Sequence, residues 1–242
     1  MKITKLQKDL AATFRWTARL NMNEGVANHF SACVPGSSHD FYVNKAGVHF
    51  SQIKASDLIL VTKKNIDELR NKPEIVDSTA INIHGTIHEK VPHAKCIFHV
   101  HSKYSTALST LKNATLPPID QNTMRFFNRV SIYNEFGGMG FEDESVKMAN
   151  ALGNKQHMLL ANHGIITTGE TVSEGFDALY YFEKSAETYL TALSTNKELN
   201  VVSDEIAEKT AQEWANYPSD MARSHLDQIR MILDKEEPNY KN

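Results

Sequence analysis

The sequence predicts an α/β chain of mixed order, and three observations carry that prediction. Residues 3–20 repeat Leu6, Leu10, Ala11, Phe14 and Ala18 among charged residues at intervals of three and four, the period of an amphipathic helix. Short apolar runs bounded by Pro, Gly and Ser fill the middle of the chain and read as strands. From Thr171 a long helical stripe returns, and two further helices close the chain. Strands in the middle with helices at both ends exclude a strict strand–helix alternation.

Taken in order, the helix over 3–20 covers a core and carries no chemistry. Ala27 to Val34 and Phe41 to Val43 read as two strands of a hairpin, joined by Pro35-Gly36-Ser37-Ser38. Ala46-Gly47 follows, where a glycine permits a backbone with exposed amides, and Leu58 to Val61 is a further strand. Asp77 or Ser78 is positioned to cap a helix running to about Glu89. The apolar run Cys96 to His101 reads as a buried strand, and Ser102 can cap a short helix after it, ended by Pro117-Pro118. Arg129 to Tyr133 is strand-like, Gly137-Gly138 breaks it, and a helix from Glu144 to Leu152 stops at Gly153. Strands flank His163. The stripe from Thr171 holds Val172, Phe176, Leu179, Ala186 and Leu190, with Glu183 on it; a carboxylate in such a row reads as paired or at the rim. Ser203 to Asn216 and Asp220 to Leu233 are helices separated by Pro218, and Asp234 to Asn242 reads as a polar tail.

The 242 residues suit one large domain spanning 1–242. Hydrophobic residues at 41% and charged residues at 23% are ordinary for a globular protein with a sizeable core. With 26 Lys and Arg against 29 Asp and Glu, no bulk field attracts nucleic acid or an anionic membrane. No stretch approaches the roughly 18 apolar residues of a membrane span, and the first ten residues lack the apolar core of a signal peptide. Cys33 and Cys96 are therefore expected as free, buried thiols in a reducing cytoplasm.

The chemistry centres on the strand Cys96-Ile97-Phe98-His99-Val100-His101. Alternate side chains share a face, so His99 and His101 point one way and Phe98 and Val100 the other. His163, in Asn162-His163-Gly164, is positioned at a strand end or tight loop to join them. Three imidazoles on Zn²⁺ leave a fourth position open, the mark of a catalytic site. His84 and His88, four apart on one helix face, are a rival ligand pair; His84 also reads as a supporting residue, and His88 stays open. No G-x-G-x-x-G, Walker loop or Ser/Cys nucleophile signature occurs, which argues against dinucleotide and NTP chemistry. Asn28, His29, Ala46, Gly47, Ser78 and Thr79 offer amides and hydroxyls to one anionic group, helped by the helix N-terminus near Ser78. They read equally as ordinary turn and cap residues.

In this order, Asn28-His29-Phe30-Ser31 with Val34-Pro35-Gly36, Asn44-Lys45-Ala46-Gly47, Ser78-Thr79 before His84, Phe98-His99-Val100-His101-Ser102 and Asn162-His163-Gly164 resemble the class II aldolase and adducin head family. The resemblance covers about residues 5–235. It implies a three-layer α/β/α fold with a central, mainly antiparallel sheet, and a four-fold cyclic oligomer with sites between subunits. It implies a divalent metal, commonly zinc, on His99, His101 and His163, stabilising an enediolate beside a carbonyl. The family's phosphate-binding places map onto His29, Gly47, Ser78 and Thr79, with His29 in place of the usual asparagine.

One departure stands out. Where the aldolases carry a catalytic glutamate four residues before the helix histidine, this chain has Ala80. An acid/base group is worth about 10² to 10⁴ in rate, so its work must pass elsewhere: to Glu135 first, then Tyr133 or His84, with Asp77 and Tyr104 behind them. The pairing Asn28-His29 and the segment Tyr133 to Gly138 lean toward the adducin-like branch, whose cytoskeletal members have lost the metal histidines that this chain keeps. Tyr240 would reach a neighbouring subunit's site. The resemblance thus implies a zinc-dependent lyase of aldolase type, cytoplasmic and homotetrameric, acting on a small hydroxylated carbonyl substrate, phosphorylated or carboxylated, with no nucleic-acid or membrane partner. The alternatives are a non-catalytic assembly or binding protein of the adducin-head type, or a dehydratase or epimerase on the same scaffold.

Overall fold

The histidine-bearing strand lies at the centre of the sheet. A computed structural model describes residues 2–37, 39–138 and 143–242, so Ser38 of the expected hairpin turn lies outside the described residues. The strands are β1 (His29–Cys33), β2 (Phe41–Val43), β3 (Ile59–Val61), β4 (Cys96–Val100), β5 (Val130–Tyr133), β6 (His157–Leu160) and β7 (Gly164–Gly169). They form one sheet in the order β3-β2-β1-β4-β7-β6-β5. Every neighbouring pair is antiparallel except β5 and β6, so the sheet is mixed and mainly antiparallel, as expected.

Alternation along the strands divides the protein into three layers. Phe30 and Ala32 of β1, Phe98 and Val100 of β4 and Ile165 of β7 pack on one face with Leu10 and Phe14 of α1 (Lys5–Arg19), Phe176 and Phe182 of α6 (Val172–Ser194) and Leu226 and Ile229 of α8 (Met221–Glu236). Ile97, Met158, Leu160 and Ile166 turn the other way, against Ile83 and Ile87 of α3 (Ser78–Lys90) and Met148 and Leu152 of α5 (Glu144–Leu152). Each fully buried Leu, Ile or Phe removes apolar surface worth about 1.5–3 kcal/mol. His99 and His101 have the parity of Ile97, so they face the α3 side.

Local signals set most helix ends. Thr4 and Gln7 close a capping box on α1, the Asp77 carboxylate caps α3, and Gly153 at φ +51° ends α5 where a side chain would be strained. Two elements answer to more distant residues. Ser102 precedes α4 (Lys103–Ser109) as expected, but its hydroxyl does not cap the helix. It donates instead to Glu183 of α6 at 2.6 Å, and that carboxylate accepts the amides of Tyr104 (2.8 Å) and Ser105 (2.9 Å) and the Ser105 hydroxyl (2.6 Å). Glu183 is therefore a buried cap fixing the chain just after His101. The short α2 (Ile66–Arg70) has too few residues to show a period in sequence; it supplies Ile66 and Leu69 to a third apolar cluster. α7 (Asp204–Ala215) buries Ala207 and Ala211.

The C-terminus departs from the expected polar tail. α8 runs to Glu236, a 3-10 turn spans Pro238–Lys241, and Tyr240 is fully buried in the chain's own main core. Its hydroxyl donates to Asp234 at 3.0 Å and accepts from Arg230 at 3.4 Å, while Arg15 and Arg19 hold Glu237. An amphipathic ring satisfied at both ends has no reason to leave. Tyr240 is thus a core residue of this chain and does not extend to a neighbour's site.

Candidate metal centre

His99, His101 and His163 meet at one point, each offering a ring nitrogen within 4.8 Å of the others. β4 supplies the first two by alternation. A tight turn between β6 and β7 supplies the third: Asn162 takes the left-handed conformation at φ +57°, which asparagine tolerates better than most residues. Gly164 completes the turn because a Cβ there would collide with the Val100 carbonyl oxygen and lie 3.1 Å from the His101 ring.

The rings are oriented by what their other nitrogens touch. His99 Nδ1 donates to the Ile165 carbonyl at 3.0 Å, and His101 Nδ1 donates to Glu24 Oε2 at 2.5 Å. With both rings neutral each Nε2 carries a lone pair, and those two atoms lie 3.0 Å apart. Facing lone pairs repel; a cation between them turns the arrangement favourable. His163 Nδ1 is buried with no hydrogen-bond partner among the described residues. Burial holds His99 well below the ordinary imidazole range, reinforced by His29, His163 and His101, and burial followed by His101 lowers His163 to about 4. His99 and His163 are thus in the neutral form that binds metal, and the donor set fits a divalent first-row cation.

Glu24 escaped sequence reasoning. It lies 77 positions from its partner histidine, in a loop after α1 with no motif around it. Only the fold makes it the carboxylate behind a ligand histidine, a recurrent arrangement at metal sites.

The remaining histidines of this face form a buried chain. His29 pairs in register with His99, with ring centroids 4.9 Å apart. His29 Nδ1 meets His84 Nε2 at 2.7 Å; His84 Nδ1 and His88 Nε2 meet the Ser31 hydroxyl at 2.5 Å and 2.7 Å; His88 Nδ1 reaches the Ala94 carbonyl at 2.7 Å. His84 is fully buried with both nitrogens engaged, so it acts on the site only through His29. The rival ligand pair His84/His88 is not assembled: Ser31 stands between the rings, whose centroids are 6.4 Å apart.

The expected anion-binding groups are mostly committed. Asp77 Oδ1 accepts the amides of Thr79 (2.7 Å) and Ala80 (3.4 Å) and the Thr79 hydroxyl (2.5 Å). The Ser78 hydroxyl donates to the Arg70 carbonyl at 3.3 Å. Gly47 is exposed at φ +71°, in a loop tied to the segment before α3 by the Ala46 amide donating to Ile75 O at 2.9 Å. Ala80 is buried among Val43, Val76 and Ile81, so its site is closed with apolar groups. Tyr133 packs beside α3 and α5, with its hydroxyl pushed up by burial, Glu144 and Glu135. Glu135 is exposed and faces Lys147 at 3.9 Å, and the adjacent Phe136 ring lies 6.2 Å from His163.

Fold and site together define an α/β/α sandwich carrying a cluster of three histidines with metal-ligand geometry, and comparison with known proteins names its family. Residues 8–190 match the class II aldolase and adducin N-terminal domain. The chain is 30% identical to the meiotically up-regulated gene 14 protein of Schizosaccharomyces pombe, over 78% of this chain and 73% of that protein. It superposes with a TM-score of 0.86 on an aldolase II superfamily protein from Pseudomonas syringae, at 28% identity over 98% of this chain and 95% of that one. With L-fuculose 1-phosphate aldolase from Glaciozyma antarctica the TM-score is 0.81, at 26% identity over 98% and 92% of the two chains. The chain belongs to the class II aldolase and adducin N-terminal domain family.

Proposed function

We propose that the protein is a zinc-dependent lyase of aldolase type acting on a small hydroxylated carbonyl compound. The observation that carries this reading is the convergence of the Nε2 atoms of His99 and His101, 3.0 Å apart, with His163 beside them. His99, His101 and His163 would hold the zinc, which would supply Lewis acidity toward a carbonyl oxygen. Glu24 and the Ile165 carbonyl keep His101 and His99 in the ligand tautomer. Protons pass at the end of β5. The Tyr133 hydroxyl, raised by burial and the nearby carboxylates, stays protonated and donates, while the exposed Glu135 carboxylate accepts. Ala80 is thereby replaced from a different element.

The same reading places the protein in the cytoplasm as a homotetramer. Its two free cysteines support a reducing compartment: Ala32 is opposite Cys96 in the β1/β4 register, so Cys33 and Cys96 point to opposite faces and cannot pair. No described helix is long and apolar enough to cross a membrane.

The test is metal analysis of the purified protein with NMR of dihydroxyacetone in D₂O. One zinc per chain is expected, together with carbon-bound hydrogen exchange that stops on chelation, in His99→Ala, and nearly so in Glu135→Gln. Stoichiometric zinc without exchange of this or any other hydroxycarbonyl compound would favour the non-catalytic, adducin-head reading, in which the closed apolar site at Ala80 marks lost chemistry.

A further inference from the structure

The buried histidine chain has a direction, and a backbone carbonyl sets it. A carbonyl only accepts, so His88 Nδ1 carries the proton donated to Ala94 O, and His88 Nε2 is bare. Ser31 spends its one hydroxyl proton on that nitrogen and must then accept from His84 Nδ1. His84 Nε2 is left bare and accepts from His29 Nδ1. The last atom, His29 Nε2, is therefore bare as well. It makes no hydrogen bond among the described residues, and its ring lies beside that of His99. Burial lowers His84 and His88, the latter to about 4, so both rings are neutral near pH 7.

We infer that Ser31, His84 and His88 are positioning residues that lock His29 into its Nδ1–H tautomer, so that its Nε2 selects a ligand presenting a neutral hydroxyl donor in preference to a phosphate or carboxylate oxygen. A hydroxyl brings the proton that this lone pair lacks; an anionic oxygen brings only another lone pair. The surroundings reinforce the choice. The Thr79 and Ala80 amides and the Thr79 hydroxyl are already given to the Asp77 carboxylate, whose charge acts on His29, and the Ser78 hydroxyl is given to a carbonyl. An anion arriving here meets a carboxylate and a lone pair in place of donors. This deepens the proposed function by naming its substrate class as an unphosphorylated hydroxycarbonyl compound, and rests on that reading only for the ligand sitting at the triad.

The experiment has two arms. In the full-length protein without added metal, ¹⁵N spectra of labelled histidine, assigned by single substitutions, report which ring nitrogen carries the proton. The expected result is Nδ1–H at His29, His84 and His88, with Ser31→Ala giving mixed tautomers at His29; Nε2–H at His29 in the unaltered protein overturns the inference. In the second arm, zinc-loaded protein is titrated with dihydroxyacetone and with dihydroxyacetone phosphate. The neutral ketose is expected to bind at least as tightly as its ester, and Ser31→Ala to weaken it about fivefold, the worth of one hydrogen bond. Tighter binding of the ester, or binding of neither, sinks the proposal. Failure to take up zinc would sink the lyase reading alone and leave the tautomers to be judged separately.

Discussion

Two sets of three histidines share one face of this sheet and differ in what their nitrogens find. In the outer set, His99 and His101 have their Nδ1 atoms tied to acceptors, so their Nε2 atoms turn toward each other. In the inner set, each lone pair of His84 and His88 meets a donor proton from its neighbour. Converging lone pairs call for a cation; a head-to-tail chain is already satisfied and has nothing to offer one. Spacing along the sequence does not separate the two cases, since both H-x-H on a strand and H-x-x-x-H on a helix put imidazoles on one face.

The sharpest way to break this contrast is to remove one member of each set. His99→Ala should abolish stoichiometric metal binding, measured by metal analysis after dialysis, whereas His88→Phe should leave one metal per chain. Loss of metal in both would mean that the inner chain is part of the coordination machinery.

Acid should attack the neutral buried rings next. His88 and His157 are held at about 4 and about 3 in the fold, chiefly by burial, against 6.5 when unfolded. The unfolded chain therefore binds more protons below pH 6.5, so the contribution is complete above that value and is lost as pH falls toward the folded pKa. For His88 alone the loss is about 3 kcal/mol. Urea midpoints should drop steeply between pH 6.5 and 4, and His157→Gln should shallow the slope. Comparable in size, Glu183→Ala should cost about 3 kcal/mol in denaturant unfolding, because it strips one acceptor from two amides and two hydroxyls at the start of α4.

Smaller effects test the orientation of the outer set. Glu24→Gln should weaken zinc binding about 10- to 100-fold by competition with a chelating dye, with unfolding unchanged, as expected when the carboxylate behind a ligand histidine is lost. Asn162→Ala should cost about 1 kcal/mol from the left-handed backbone at that position, and Asn162→Gly should restore it.

Much of this was legible in the chain itself. Alternation fixed which way His99 and His101 point, because a strand leaves no other choice, and helix periodicity with capping residues located α1, α3 and α5 to within a residue or two. The Asn162-His163-Gly164 sequence carried its own turn chemistry. Local rules of this kind act over a few residues and survive translation into structure. The links that gave the site its character span the fold: Glu24 to His101, Glu183 to the start of α4, Tyr240 into its own core, and the antiparallel register that sets His29 beside His99 and Ser31 between His84 and His88. The tautomer of each ring depends on which donor or acceptor lies across a strand or helix interface, and packing decides that contact. The sequence by itself determined the three converging histidines and the sheet that bears two of them; the tertiary structure decided what each ring nitrogen meets, because a hydrogen-bond partner is a neighbour in space.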